Sequence, residues 1–501
     1  MDDQTNFLEQ RRFKLAELQR LGHDPYPRRF DYTHTLGQLR AAFDPLDAAT
    51  LEDRKETARI CGRILSLRPH GKAGFLDLAD GEGRVQVYVR RDTVGEEMFE
   101  LFRLFDLGDI IGAEGTIFRT RTGELTLLAT KVHHLSKNLQ PLPEKWHGLT
   151  DVETRFRQRY VDLIMNPGVR EVFVKRGAII REIRRYLDQR GYLEVETPVL
   201  QTIAGGALAR PFRTHHNALD IDLYLRIALE LYLKRLIVGG IPRVYEMSRI
   251  FRNEGISSHH NPEFTMLEFY QAYSDYNDLM DMSEEMITRI AETVTGSRQV
   301  PYGEHVLDFD HWQRLTMKEA IFRFWPASLP PPAEGDLQSV DRLRALAEAV
   351  GARYAPADGP GKLMSLLFET VAEEHLVQPT IVYDHPAEVS PLAKTKPGDP
   401  ATAERFELYI AGMEIANAYS ELNDPAEQKA RFEEQLRARD RGDEEAHGMD
   451  QDYIRALRYG MPPTAGEGIG IDRLTMVLTD SPSIRDVILF PLLRPEPEAG
   501  E

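Results

Sequence analysis

Arg252 and Glu254 stand two residues apart in RVYEMSRIFRNEG, and Phe264, Met266, Glu268 and Tyr270 recur at every second position in the following PEFTMLEFY. Strand periodicity gives the first pair one face and the four later residues one face of a returning strand. With Gly255 to Pro262 as the connecting loop, one hairpin would present a guanidinium, carboxylates, aromatic rings and a phenol to one cavity. A guanidinium suits a phosphate, and a phenyl face suits a flat base. Taken alone, an Arg-x-Glu pair is more often an incidental ion pair on a half-buried hairpin.

A second group lies in ERFELYIAGMEIANAYSELND, residues 404–424. A turn near Ala411 and Gly412 makes this a hairpin and brings Glu407 and Glu414 into approximate opposition. Facing carboxylates repel unless a cation lies between them, and oxygen donors suit Mg²⁺. Without a cation they are two solvated edge acids. Asn417, Tyr419 and Glu421 have the opposite parity from Glu414, so a bulge is needed to aim all four at one pocket. The third group is GEGIGIDRL, residues 466–474. Its alternating glycines strip one strand face, for a flat ligand or for close packing. Arg473 follows near a helix start, where free N–H groups also favour an anion. The usual phosphate-loop signatures are missing. No GxxxxGK[ST] occurs, the run Gly359 to Lys362 lacks the spacing, and Gly466, Gly468 and Gly470 read G-x-G-x-G.

These groups need a scaffold, and 501 residues suffice for two to four domains. Apolar residues at 42% exclude wholesale disorder. The single cysteine, Cys61, excludes an intrachain disulfide and a thiolate-rich zinc site. No run of 18 apolar residues predicts a membrane helix, and the polar start MDDQTNFLEQRR does not read as a secretory signal, so the expected location is cytoplasmic. The net charge of −18 is uneven: residues 1–150 hold 22 basic and 23 acidic residues, the rest 40 and 57. The N-terminal part is the better place for a polyanion. Residues 1–50 read as a helical extension, with an amphipathic helix over 6–21. Short β-rich runs with turn signals over 58–135 predict a small closed barrel within residues 51–140, the five-stranded oligonucleotide-binding (OB) fold being the obvious candidate. Residues 141–155 read as a linker. Residues 156–497 read as an α+β domain with a helical insertion at about 312–376. A helix over 169–190 stops at Gly191 before a strand-like YLEVETPVL. The last five residues read as a loose tail.

Taken together, the three groups resemble the class II aminoacyl-tRNA synthetases. FRNEG…HHNPEF is similar to motif 2 of that class, GIGIDRL to motif 3, and the helix ending in GYLEVETPVL, with Pro198, to the dimer-forming motif 1. GGALARPF at 205–212, ELYLKRLIVGG at 230–240, HNPEFTM at 260–266 and YSELND at 419–424 resemble the lysine-specific, bacterial-type branch. The resemblance runs from about residue 9 to 497. The HIGH and KMSKS signatures of the unrelated class I enzymes are absent.

The resemblance implies a class II antiparallel-sheet catalytic domain with an N-terminal OB-fold barrel. It implies a homodimer that uses ATP, lysine, Mg²⁺ and tRNA(Lys) and does not engage membranes. Arg252 would hold the α-phosphate and the lysine carboxylate. Glu254 would accept the adenine amino group and Phe264 would stack on the ring. His260 and Arg473 would hold the outer phosphates, with Asn261 also at the ATP. Glu407 and Glu414 would bind Mg²⁺. Gly206 and Glu230 would take the α-amine side of lysine. Tyr270, Asn417 and Glu421 would complete the far end, with Glu268 and Tyr419 also lining the lysine pocket. Phe75 would stack on an anticodon base while Gln86 and Glu124 read base edges. Two departures stand out. His259 replaces the Arg of the usual Arg-His-Asn-Pro-Glu-Phe, and Ala416 and Ala418 flank Asn417 where glycine is commoner, which would tighten the pocket. An aspartate or asparagine enzyme of the same class is a rival reading, as is a weakened paralogue that only binds RNA or protein. The acidic Glu230 and Glu421 argue against the first, because an acidic pocket repels an acidic substrate.

Overall fold

The computed structural model describes residues 2–143, 149–207, 209–440 and 449–495. The five-residue tail, and Leu208 of the GGALARPF run, lie outside them. The chain divides into two compact units, one up to Arg170 and the other from Glu171.

In the first unit, helix α1 (Asp2–Arg20) precedes five strands. These are β1 (Thr57–His70), β2 (Ala73–Ala79), β3 (Arg84–Arg90), β4 (Ile110–Arg119) and β5 (Leu125–Ser136). They close a barrel in the order β1-β2-β3-β5-β4. Alternation drives the closure. Leu76, Leu78, Val85, Val87, Val89, Ile117 and Leu127 fill the interior, while the residues between them face outward. The Asp80 carboxylate accepts from the N–H groups of Glu82 and Gly83 and so shapes the β2–β3 turn. Helix α1 is tied down by Arg11 and Lys14, which pair with Asp106 at 3.0 and 2.6 Å. Helix α2 (Arg91–Arg103), between β3 and β4, has no counterpart in the strand pattern read from the sequence. Gly95 at φ 83° breaks it, so the apolar run that follows is too short to show a helical period.

Helix α3 (Pro167–Gln189) crosses the division, and its part in the second unit buries Ile179, Ile183, Tyr186 and Leu187. Gly191 at φ 76° ends it. The strand-like YLEVETPVL pairs only as β6 (Leu193–Glu194) and, past Pro198, as the two-residue strand Leu200–Gln201. Proline has no N–H to give a ladder, and the run is split there. Then follow α4 (Glu230–Val238), β7 (Arg243–Phe251), β8 (Glu263–Ala272), α5 (Tyr276–Thr295) and β9 (Gln313–Thr316). The remaining main elements are β10 (Thr380–Pro386), β11 (Asp399–Ile410), β12 (Met413–Ser420), β13 (Thr464–Gly470) and α6 (Ile471–Leu478).

The sheet runs β9-β10-β11-β12-β13-β8-β7-β6, with the short strand Thr395–Lys396 beside β11. Every neighbour along that path is antiparallel except β9–β10 and β7–β6. One sheet face carries Tyr245, Leu267, Phe269, Ala418 and Ile469 into a core shared with α3, α5 and α6. The opposite parity is left for a ligand. Between β9 and β10, helices Met317–Phe324, Val340–Ala349 and Pro360–Val371 bury a separate apolar cluster. Gly359 and Gly361 belong there. The Gly361 N–H donates to Glu388 at 2.8 Å, so this glycine pair serves packing and not a phosphate. Among the described residues no helix is long and apolar enough to cross a membrane.

Candidate active site

A cavity of about 340 Å³ opens on the free face of the sheet. Strand β8 sends Phe264, Met266, Glu268 and Tyr270 into it, while Leu267 and Phe269 point to the core. In β13, Gly466 lies opposite Tyr270. A Cβ there would stand 2.2 Å from the Tyr270 ring and 2.4 Å from the Glu421 carboxylate, so only glycine fits. At Gly468 the nearest such atom is 3.6 Å away, which leaves bare backbone as a floor. Strand β12 carries the required bulge. Leu408 pairs with Ala416 but Tyr409 pairs with Glu414, so Ile415 is an extra residue. The bulge resets the parity, and Glu414, Asn417 and Tyr419 all line the cavity. Ala418 faces the core, so it cannot tighten the pocket; Ala416 does line it.

Two placements differ from the strand reading. Strand β7 ends at Phe251, so Arg252 and Glu254 sit in the connecting loop and not on a strand face. The backbone leaves the ladder because the Arg252 N–H donates to Pro262 and the Asn253 N–H to Arg210. Both side chains still reach the cavity. Glu407 and Glu414 are also offset: Glu407 pairs across the hairpin with Asn417, and Glu414 with Tyr409.

At the outer end, Arg473 in the first turn of α6 donates to the Glu414 backbone oxygen at 2.7 Å and reaches its carboxylate at 3.3 Å. Its other arm lies 3.1 Å from His260 Nε2. Burial and then the Arg473 charge lower the pKa of both His259 and His260 below the ordinary histidine value. A neutral His260 accepts from Arg473 at Nε2 and donates from Nδ1 to Ser257 Oγ at 2.9 Å. Asn261 lines the cavity and donates to the Glu263 backbone oxygen, and its own side-chain oxygen is buried without a hydrogen-bond partner. The Arg252 guanidinium stands 5.2 Å above the Phe264 ring, with its Nε held by the Ile227 oxygen. Arg405 donates to Asn417 at 2.9 Å and to Glu407 at 2.5 Å, and Tyr409 donates to the other Glu407 oxygen. Burial opposes ionisation of Glu407, but the neighbouring His385 and then the Arg405 guanidinium hold it below the usual carboxylate range. Burial and the nearby Glu407 push Glu414 up.

At the inner end, Glu268 accepts from the Leu229 N–H at 2.9 Å and from the Tyr270 hydroxyl at 3.0 Å. Burial, and then the charge of Glu230, push it up to about 7. Gly206 at φ 91° passes close over Ala228 and Glu230. Tyr419 donates to Glu230 at 2.6 Å. Glu230 and Glu421 both pair with the single Nζ of Lys234. They therefore stand together, not at opposite ends of a ligand. Glu421 does not line the cavity wall; it lies behind Gly466 and is 1% exposed.

In the first unit, Phe75 is half-buried on the outer face of the barrel and takes no part in its core. It stacks on Tyr88 with ring centroids 4.2 Å apart and planes 9° from parallel. On β3 with Tyr88, Gln86 accepts from Thr126 of the neighbouring β5 at 3.1 Å, and Glu124 is exposed at the end of the barrel, 4.0 Å from Arg40.

A sequence model described as "tRNA synthetases class II (D, K and N)" matches residues 151–494. One described as "OB-fold nucleic acid binding domain" matches residues 58–135. The "Lysine--tRNA ligase" of Moorella thermoacetica is 53% identical over 499 residues, spanning 99% of this chain and 100% of that protein. The protein of the same name from Bacillus cytotoxicus is 53% identical over 485 residues, spanning 97% of this chain and 96% of its own. The chain belongs to the class II tRNA synthetases. As in that class, an OB-fold barrel precedes a catalytic unit built on an antiparallel sheet.

Three side chains of this synthetase escaped the sequence reading. Lys234 is spaced i, i+4 from Glu230 in ELYLKRL, a visible helical ion-pair signal. Arg405 shares its strand parity with Glu407. Tyr88 alternates with Gln86 in RVQVYV and so falls on the outer barrel face.

Proposed function

We propose that this synthetase is a lysine–tRNA ligase. A lysine carboxylate oxygen attacks the α-phosphorus of ATP, the α–β phosphate bond breaks, and pyrophosphate leaves. A hydroxyl of the tRNA 3′-terminal adenosine then attacks the acyl carbon, and AMP leaves. The observation that carries lysine over other amino acids is the cluster of Glu230, Glu268 and Glu421 at the inner end, which offers carboxylates to an ammonium. The full-length relatives named as lysine–tRNA ligases support the same reading.

The chemistry falls to positioning and charge neutralisation. Arg252, half-buried at the cavity, holds the carboxylate against the α-phosphate. Phe264 stacks on adenine, Glu254 accepts its amino group, and Asn261 offers its unpartnered oxygen at the nucleotide. Arg473, steadied by His260, takes the outer phosphates. Gly206 and Glu268 serve the α-amine, while Glu230 and Glu421 serve the ε-ammonium together, with Tyr270, Tyr419 and Asn417 closing the pocket.

Lysine–tRNA ligases of this class use ATP with a divalent metal. Glu407 and Glu414 would hold a hard cation once Glu407 gives up Arg405 or Tyr409, which take both its oxygens here. Glu407 and Glu414 are oxygen donors close enough to perturb each other, and Glu369 and Glu373 are pushed up partly by the same two charges. Two carboxylates plus phosphate oxygens and water are what Mg²⁺ takes. Bound there, it would neutralise phosphate charge. Phe75, backed by Tyr88, would stack on an anticodon base, with Gln86 and Glu124 at the base edges. The working form would be a cytoplasmic homodimer through the motif 1 helix α3, and sedimentation at micromolar concentration measures that directly.

The test is amino-acid-dependent pyrophosphate exchange with lysine, arginine, aspartate and asparagine. Exchange with lysine alone is expected. Exchange with aspartate or asparagine, which share this family, would overturn the reading, and so would no exchange at all.

A further inference from the structure

We propose that Lys234 is a specificity-setting positioning residue: an internal counter-ion that holds Glu230 and Glu421 together and sets the charge of the inner pocket to match two ammonium groups. This rests on the lysine-ligase reading of the same site. Lys234 is wholly buried and pairs with Glu230 on its own helix and Glu421 beyond β12. The tyrosine rings of Tyr419 on β12 and Tyr453 on Gln451–Leu457 lie 5.4 and 5.9 Å from its Nζ. Glu268 and Tyr270 face the cluster from β8, and the Arg235 guanidinium lies 5.6 Å from the Tyr453 ring.

Three carboxylates in one buried cluster cannot all ionise without cations. In the empty pocket burial pushes Glu268 and Glu421 up; with all three ionised, as two bound ammonium groups would allow, the internal ammonium leaves two net negative charges for the ligand to balance. Free lysine brings two ammonium groups, and its carboxylate has Arg252. The balance closes for a diamino acid and leaves surplus charge for a neutral side chain. Glu421 Oε1 has no hydrogen-bond partner and adjoins Gly466 on the cavity floor. One oxygen of Glu421 thus serves Lys234 while the other, buried behind Gly466, is left without a partner. Burial alone would lower the Lys234 pKa, but Glu230 and Glu421 outweigh it, so it keeps its proton.

Without Lys234 the empty pocket must take up a proton in its place, and lysine must displace it. Lys234→Met, an apolar side chain of similar length, is therefore expected to raise the lysine KM at least tenfold at pH 7. The ATP KM should stay within twofold, and the lysine defect should shrink toward pH 8.5. Calorimetry in two buffers of different ionisation enthalpy should count about one more proton released per lysine bound than in the parent. If Lys234→Met does not fold, Lys234→Ala with added ethylammonium is the second arm: saturable recovery of lysine binding is expected, with none from tetramethylammonium. An unchanged lysine KM and proton count, or a loss equal for lysine and ATP and flat with pH, would overturn the proposal. A parent enzyme that prefers another amino acid would instead overturn the lysine-ligase reading, so the two failures are distinct.

Discussion

Arg473 and His260 meet at 3.1 Å across the mouth of the cavity, 213 residues apart in the chain, with the imidazole as acceptor. The arrangement works only while His260 is neutral, and its surroundings favour that form: burial and Arg473 both lower its pKa. His260→Ala should free the guanidinium to wander and raise the ATP KM about tenfold, the order of one hydrogen bond to a charged group. Acid should mimic the substitution. Once protonated, His260 can no longer accept, and this should set in below the ordinary histidine value of about 6.5. Pyrophosphate-exchange kinetics at pH 5.5 to 8 in parent and variant check both.

Glu268 titrates where a cell operates. Its empty-pocket pKa is raised to about 7 by burial and Glu230, so the neutral form is favoured relative to water. An ammonium needs the carboxylate. The sign follows: lysine binding strengthens as pH rises through 7 and weakens below it. The lysine KM should rise about tenfold from pH 8 to pH 6, and Glu268→Gln should abolish that slope. A lysine KM flat over this range in the parent would contradict the assignment.

Gly466 is a steric prediction. Alanine would press a methyl to 2.2 Å from the Tyr270 ring and 2.4 Å from Glu421, and both neighbours are buried. Gly466→Ala should abolish lysine activation and cost the ~1–3 kcal/mol of stability of an overpacked interior, read as a lower thermal midpoint. Gly468→Ala, with its nearest neighbour at 3.6 Å, should fold normally and lose nucleotide or lysine affinity instead. Thermal melts beside exchange assays separate the two.

The Phe75–Tyr88 stack predicts a division of labour. Phe75→Ala should cost about 1–3 kcal/mol in kcat/KM for tRNA while leaving lysine-dependent exchange unchanged. Tyr88→Ala should do the same more weakly. The double variant should fall short of the sum, because each ring supports the other. Equal losses in charging and exchange would mean that the rings serve stability alone.

What could be read in advance followed periodicity. The alternation of β8 sets Phe264, Met266, Glu268 and Tyr270 on the cavity side because a pleated strand has no other choice. The need for a bulge before Asn417 was legible from parity, but its position at Ile415 depends on pairing with both β11 and β13. Arg252 was read as a strand residue because nothing local shows that its N–H finds Pro262 rather than a ladder partner. The Lys234–Glu421 pair spans 187 residues. Half of it, Glu230 to Lys234, is a helical spacing anyone can count; the other half exists only once α4 and β12 are brought together.

Ile415 has one more consequence. In most surface hairpins a one-residue deletion shortens a loop and little else. Here it would act as a phase shift. Removing Ile415 would restore even pairing from the turn to Ser420 and rotate either Glu414 or the set Asn417, Tyr419 onto the wrong side of the sheet. The phosphate end and the amino-acid end of the cavity are thus kept in step by one apolar residue. At this point in the chain the reading frame of faces is locked.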